Sequence, residues 1–323
     1  DRYAYVPLIG IFIIIAWGLP DLLQNYSFRK KLLSVLSGIF FSVLITLTSV
    51  QLQYWENSVK LFEHAIEVTD KKYPSFVGIY NNLGVVLNQQ MKFEEAMAHL
   101  KNAVKLQPTY SESHNNLGNS LSGLNRFQEA NIYYKEAIRL KPDYPEAHNN
   151  LANSLVKMLN FHDAIIHYLT AIRLKPEFAK AHFNLGTILN LKEFPGNDNE
   201  VAIMHLTEAI RLEPNFSEAH LALGHIILEK NNFKTAIYHF ERTTQIDPNN
   251  AIAHNSLGSA LGKQRNFMQA IAHFNTALKI NPRYFEAHQN LGTALSAQGK
   301  NKKADYHFKV ADDIRVKSSS WFH

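Results

Sequence analysis

Histidine and asparagine are the two residue types whose spacing in this chain could carry chemistry. Of sixteen histidines, six form one series, His114, His148, His182, His220, His254 and His288, and six a second, His99, His167, His205, His239, His273 and His307. Members of a series stand mostly 34 residues apart. They are therefore a whole structural unit from one another, far beyond the ~2 Å nitrogen–zinc bond of a shared metal ion. There is no His-Glu-x-x-His and no pair of histidines four residues apart. The histidines read as packing and surface residues, with no metal site.

The asparagines form a row of their own: Asn82, Asn116, Asn150 and Asn184 and, after an interruption by Ala222 and Ser256, Asn290. A partial row, Asn81, Asn115, Asn149 and Asn255, stands one residue earlier. An amide offers two donors and an acceptor, so it pairs with a peptide backbone whatever the neighbouring side chain. At ~0.5–1.5 kcal/mol net per bond, several in line hold an extended polypeptide with low sequence specificity. The competing reading is polar filler, carried along when a repeat is copied. No glycine-rich phosphate loop, no Gly-x-Ser-x-Gly and no Ser/His/Asp set stands out, so no catalytic residue and no cofactor site is read in this segment.

The element that positions these residues is an internal repeat. Numbered so that Gly84 is position 8, repeats start near 77, 111, 145, 179, 217, 251 and 285, in steps of 34 residues with one of 38. A constant period in this range marks a stacked array, one elongated body despite the 323 residues. Positions 4, 7, 8 and 11 lie at i, i+3, i+4 and i+7, one face of a helix. A second helix is marked by a small residue at position 20 (Ala96, Ala130, Ala164, Ala202, Ala236, Ala270, Ala304) and another seven residues on, with Leu, Tyr or Phe between them. Proline from Pro108 to Pro282 ends each second helix. Glu112, Glu146, Glu218 and Glu286 fall in first turns, where an anion meets the positive end of the dipole. The asparagine row lies about 100° per residue off the packing stripe, so its amides are expected on the open side of the first helices. An insertion around Glu193–Asp198 is expected to perturb the stack. Asp312, where other repeats carry Val, Ile or Leu, suits a last helix with one wet side. Segment 56–73 reads as a capping helix and 319–323 as a tail.

The front of the chain differs. Residues 3–20 and 32–55 carry no charge, and each window approaches or exceeds the ~20 residues that cross a bilayer as a helix. Trp17, Tyr54 and Trp55 stand near the ends, where aromatic rings prefer the interface. The expectation is a membrane region over 1–55, with spans of about 4–22 and 32–54. The loop 24–31 carries Arg29, Lys30 and Lys31, which places it in the cytoplasm and the repeats on the periplasmic or lumenal side. Net charge is +5 with both signs mixed along the repeats, a solvated surface rather than a nucleic-acid groove. With no cysteine there is no disulfide framework and no thiolate metal site. The chain opens on Asp1 rather than Met, which reads as a fragment or a processed product.

The small residue at position 8, Ala at 20 and 27 and Pro at 32 in a 34-residue period resemble the tetratricopeptide repeat, over 77–318. That resemblance implies an all-α, right-handed α-solenoid of about seven helix-turn-helix repeats, here preceded by two transmembrane helices. The family's aromatic at position 4 is mostly His in this chain. The Asn-Asn-Leu-Gly steps resemble the repeats of O-GlcNAc transferase, in which an asparagine ladder grips substrate peptide. This implies peptide contacts for Asn82, Asn116, Asn150, Asn184 and Asn290, and the enzyme's catalytic domain has no counterpart here. Finally, Asp1-Arg2-Tyr3, a span, a basic loop and a second span resemble the junction in membrane O-mannosyltransferases with tetratricopeptide tails, of the C-type glycosyltransferase superfamily. This implies a lipid-phosphate sugar donor for the parent enzyme and a possible phosphate contact at Arg2, against the plainer role of an interfacial anchor. Three functions follow as expectations. They are a membrane-anchored array binding polypeptide on its concave face, the C-terminal part of a protein O-glycosyltransferase whose repeats recruit substrate protein, and a non-catalytic envelope or secretion scaffold. The expected partners are a polypeptide and membrane lipid, and no nucleic acid.

Overall fold

The structure, a computed structural model, describes residues 57–68, 75–191 and 198–319, together with the separate helical positions 31, 35, 38, 39, 41, 42, 45 and 46. The two expected spans and Arg2 otherwise lie outside the described residues. No helix among the described residues is long and apolar enough to cross a membrane.

The chain divides into two compact units, residues 1–106 and 107–323. In the first, α1 (Ser58–Val68) packs on α2 (Ser75–Gln89), and α2 pairs with α3 (Phe93–Leu106). The second is a solenoid of six helical hairpins: α4 (Ser111–Gly123) with α5 (Phe127–Leu140), α6 (Pro145–Lys157) with α7 (Phe161–Leu174), α8 (Ala179–Leu189) with α9 (Asn199–Leu212), α10 (Ser217–Glu229) with α11 (Phe233–Ile246), α12 (Ala251–Lys263) with α13 (Phe267–Ile280), and α14 (Phe285–Ala297) with α15 (Asn301–Ser319). The fifteen helices account for all the regular structure among the described residues outside positions 31–46.

The small residues explain why the two helices of a hairpin lie so close. A Cβ added at Gly118 would meet the Tyr134 ring at 2.5 Å, and one at Gly258 the Phe274 ring at 2.7 Å. Glycine at position 8 thus makes room for the bulky residue at position 24, while Ala130, Ala137, Ala270 and Ala277 are wholly buried beside it. Each fully buried Leu or Phe of this seam contributes about 1.5–3 kcal/mol over exposure, so packing rather than propensity holds the helices. Asparagine begins several second helices: the Asn160, Asn232 and Asn266 side chains accept from the backbone N–H of Asp163, Thr235 and Gln269, satisfying donors that the first turn leaves open. Between the helices of five hairpins the chain turns through a left-handed residue that is not glycine: Met91, Asn125, Leu159, Asn231 and Arg265, with φ of 58° to 64°.

Within the second unit, first helices of successive hairpins touch one another directly (α4 with α6, α6 with α8, α10 with α12, α12 with α14), and second helices approach each other less. The first-helix side is therefore the tighter side of the bend. The pair α8 and α10, first helices of the hairpin that carries the insertion and of the next, approaches less closely than these four. Inside that hairpin α8 and α9 pack as their siblings do, with Asp198 capping α9. In α15, Asp312 is well exposed and pairs with Arg315 at 3.0 Å.

Candidate functional site

The asparagine row turns out to be a set of ties between hairpins. Asn150 Nδ2 donates to Asn115 Oδ1 at 3.1 Å and to Asn119 Oδ1 at 3.0 Å, both in the preceding first helix. Asn184 repeats the pattern one hairpin on, donating to Asn149 and Asn153 at 3.0 Å each, and Asn290 donates to Asn255 at 3.0 Å. The expectation of outward-facing amides is corrected accordingly. These three are half-buried, and the NH2 group serves the neighbouring repeat. The reason is geometric: the sector beside the packing stripe faces solvent on a lone helix but faces the next hairpin in a stack. The carbonyl oxygens of Asn150, Asn184 and Asn290 take no hydrogen bond among the described residues. Asn82 is exposed and accepts from Asn81 at 3.4 Å, and Asn116 is half-buried and accepts from Asn115 at 3.4 Å.

Position 9 completes the network. Tyr134 Oη donates to Asn119 Oδ1 at 2.9 Å, and Tyr168 Oη to Asn153 Oδ1 at 2.6 Å. Burial pushes the Tyr134 phenol up to about 12 and the Tyr168 phenol higher still, so both stay protonated donors. Asn119 and Asn153 stand outside both asparagine rows of the sequence. Their signal lay in a coincidence: Asn occupies position 9 only in the two repeats whose position 24 is Tyr.

Beside these ties the first helices leave hollows. One of about 320 Å³ is lined by Asn119, Ser122, Tyr134, Asn150 and Lys157 among others. The next, about 380 Å³, shares Asn153 and Lys157 with it and adds Phe183, Asn184 and Thr187. A third, about 240 Å³, lies against Ser259, Lys263, Phe274, Asn290 and Thr293. Each contains one amide of the row, an apolar wall and a lysine. That combination suits a backbone carbonyl or an acidic group flanked by an apolar side chain.

The histidines do not bring three metal-ligating side chains together anywhere among the described residues. They do pair, which reading each series alone concealed. Position 4 on the first helix meets position 23 on the second: Nδ1 to Nδ1 is 3.0 Å for His148–His167, 2.9 Å for His182–His205, 3.0 Å for His220–His239, 3.2 Å for His254–His273 and 3.0 Å for His288–His307. Each first-helix ring also sets Nε2 against the carbonyl of the proline that ends the preceding second helix, Pro142 O at 3.3 Å for His148 and Pro176 O at 3.1 Å for His182. Burial, and then the partner ring, hold His167, His205, His273 and His307 below the usual histidine range and bring His239 down to about 4. The first two repeats differ: Tyr80 stacks on His99 at 5.9 Å between centroids, and His114 faces Tyr133 at 6.1 Å.

Family models described as tetratricopeptide repeat match residues 76–143, 149–193, 251–284 and 273–306, and one described as TPR repeat matches 224–264. Over 112 residues the chain is 29% identical to human protein O-mannosyl-transferase TMTC3, a match covering 33% of this chain and 11% of that protein. Over 108 residues it is 23% identical to Drosophila melanogaster protein O-mannosyl-transferase Tmtc2. The chain thus spans about a tenth of the length of the curated relatives it matches. Among solved structures, a chain of the APC/C hetero-tetramer Cut9–Hcn1 superposes with a TM-score of 0.60 at 20% identity, covering 80% of this chain and 48% of that one. Pseudomonas aeruginosa pilF gives 0.59 at 18% identity, covering 65% and 94%. At these identities the likeness is one of fold.

Proposed function

The chain is a tetratricopeptide-repeat protein, and from that premise we propose that its first-helix face binds extended polypeptide. The observation that carries this is the recurrence of one hollow. Three times along the second unit an amide of the row, with its carbonyl oxygen unspent, stands beside an apolar wall and a lysine. An unspent oxygen accepts one backbone N–H, and neighbouring hollows that share Asn153 and Lys157 set a continuous path for a chain. Asn82, Asn116, Asn150, Asn184 and Asn290 are the contacts of this reading. The test is fluorescence anisotropy of labelled unstructured Ser/Thr-rich peptides against the full chain. Asn150→Asp and Asn184→Asp keep the acceptor but add charge, while Asn150→Ala and Asn184→Ala remove it. The alanine pair weakens capture about tenfold with helicity unchanged by circular dichroism; unaltered capture would sink the reading.

The relatives support a second, wider reading, in which this chain is the C-terminal part of a membrane protein O-mannosyltransferase whose repeats present substrate protein. The uncharged windows at 3–20 and 32–55 support membrane anchoring. Val35, Ile39, Phe41 and Ile45, helical and 56–65% exposed, suit lipid better than water. In this reading the basic loop orients the repeats to the non-cytoplasmic side, and Arg2 is the residue assigned to a lipid phosphate. Because the chain has no cysteine, single cysteines placed at Ser27 and at Ser318 report sidedness cleanly with a membrane-impermeant thiol reagent. Labelling of Ser27→Cys but not Ser318→Cys by reagent confined to the non-cytoplasmic side would reverse the orientation.

A further inference from the structure

Counting protons in the histidine pairs constrains them tightly. A carbonyl oxygen only accepts, so each first-helix ring bonded to a proline carbonyl carries its proton on Nε2; the five distances are 3.1–3.3 Å, from His148–Pro142 to His288–Pro282. In a neutral ring that leaves Nδ1 bare. The bare Nδ1 faces the other ring's Nδ1 at 2.9–3.2 Å, so the second-helix histidine must carry its proton there and donate it. Each hairpin is thus fastened by a chain of two hydrogen bonds, from second-helix ring to first-helix ring to proline carbonyl, and the second bond reaches the hairpin before it. One added proton can settle on the outer Nε2 of the second-helix ring and leave the chain intact. The next has only the bare Nδ1, and there it sets two N–H groups against each other at 3 Å.

We infer that these five stacked links make the second unit a pH-operated solenoid, whose hairpins from α6 to α15 loosen as acidity rises into the range where free histidine becomes charged. The surroundings favour this. The charged groups that bear on the pairs include Lys135 and Arg173, both cationic, and Asp163 at His148–His167; Glu208 at His182–His205; and Arg242 at His220–His239. Only the ring partner bears on His273 and His307, and the Tyr238 and Tyr306 rings lie edge-on at 5.1 Å to His239 and His307. Of these named groups only Asp163 and Glu208 are anions set to offset a new charge, and Glu208 is already paired with Arg211.

The sign follows from linkage. These second-helix histidines titrate lower in the fold than in the unfolded chain, so the unfolded chain binds more protons below about pH 6.5, and stability present above that value is lost as pH falls. Allowing for solvent screening, the loss is about tenfold in the local closing equilibrium per pair at pH 5. The hairpin of α4 and α5 is an internal control, because His114 faces Tyr133, and a tyrosine takes up no proton in this range.

The test uses the full chain in a mild detergent. Amide hydrogen exchange, corrected for intrinsic rates, is measured at pH 7.5 and pH 5.0. Protection over 145–316 falls at least tenfold, while that over 111–140 changes less than twofold. A fivefold variant copying the His114–Tyr133 arrangement (His167→Tyr, His205→Tyr, His239→Tyr, His273→Tyr and His307→Tyr) loses the difference. Equal protection at both pH values, or a fall that persists in the variant, overturns the inference. Should the variant not fold, long-range 1H–15N spectra of the native protein decide. First-helix rings as the Nε2–H form and second-helix rings as the Nδ1–H form, titrating below free histidine, support it. The opposite tautomers, or titration near 6.5, overturn it.

Discussion

The hairpins α4–α5 and α6–α7 differ from α10–α11 and α12–α13 in how each is joined to the next, though all four share one backbone plan. In the earlier pair the bulky residue at position 24 is Tyr134 or Tyr168. Its hydroxyl reaches an asparagine at position 9, and the same asparagine accepts from the following repeat's Asn150 or Asn184. In the later pair the bulky residue is Phe240 or Phe274, and Ala222 and Ser256 break the amide row. The polar links left there are Ser256 Oγ with His225 Nε2 at 3.2 Å and, one hairpin on, a single bond from Asn290 to Asn255 at 3.0 Å, beside a buried apolar cluster around Phe240 and Phe274. One architecture thus tolerates either a tyrosine-backed joint with two amide bonds or a sparser joint with one polar link beside a phenyl ring. The choice is set by one hydroxyl, because a buried phenol needs a partner and a phenyl ring does not.

The comparison can be broken most forcibly at position 24. Tyr134→Ala and Phe240→Ala each remove a buried ring and lower stability by about 3–5 kcal/mol in urea denaturation. The larger loss should fall on Tyr134, whose removal also strips a donor from Asn119. The hydroxyl alone comes next: Tyr168→Phe costs about 1–2 kcal/mol. Conversely, Phe274→Tyr gains nothing alone, and with Ser259→Asn it rebuilds the earlier joint, which a double-mutant cycle reads as a coupling of about 1 kcal/mol. Third, Asn184→Ala lowers stability by about 1 kcal/mol and Ser256→Ala by about half of that, since the amide donates to two acceptors and the hydroxyl meets one ring nitrogen. Equal losses would erase the distinction between the two joints. Smallest is the surface: Lys175 pairs with Glu146 at 3.2 Å with both side chains well exposed, so Glu146→Gln costs no more than about 0.5 kcal/mol and nothing in 1 M salt.

The repeat period, the small residues at positions 8, 20 and 27 and the terminating prolines made the helix pairs legible before any coordinates, because they describe packing inside one hairpin. What was not legible lies between elements that the period separates. Asn150 sits at a position that a single helix would present to water, and only the preceding hairpin gives it Asn115 and Asn119 as acceptors. The His148–His167 bond joins residues 19 apart on different helices, whereas members of either histidine series are distant equivalents. The chain does hold the clue in its substitutions. Where position 4 is Tyr80 the partner is His99, and where position 23 is Tyr133 the partner is His114, so no repeat goes without an aromatic pair.

The hairpin of α8 and α9 carries the extra length of the 38-residue step, and yet His182 and His205 remain 2.9 Å apart and Gly186 still lies against Leu206. Length is therefore negotiable at the bend of a hairpin in a way it is not along its helices. For anyone wishing to splice an epitope, a reporter or a second binding loop into this protein, the bend between Leu159 and Asn160 is the natural graft point. The guest would leave by the same door that the native insertion already uses.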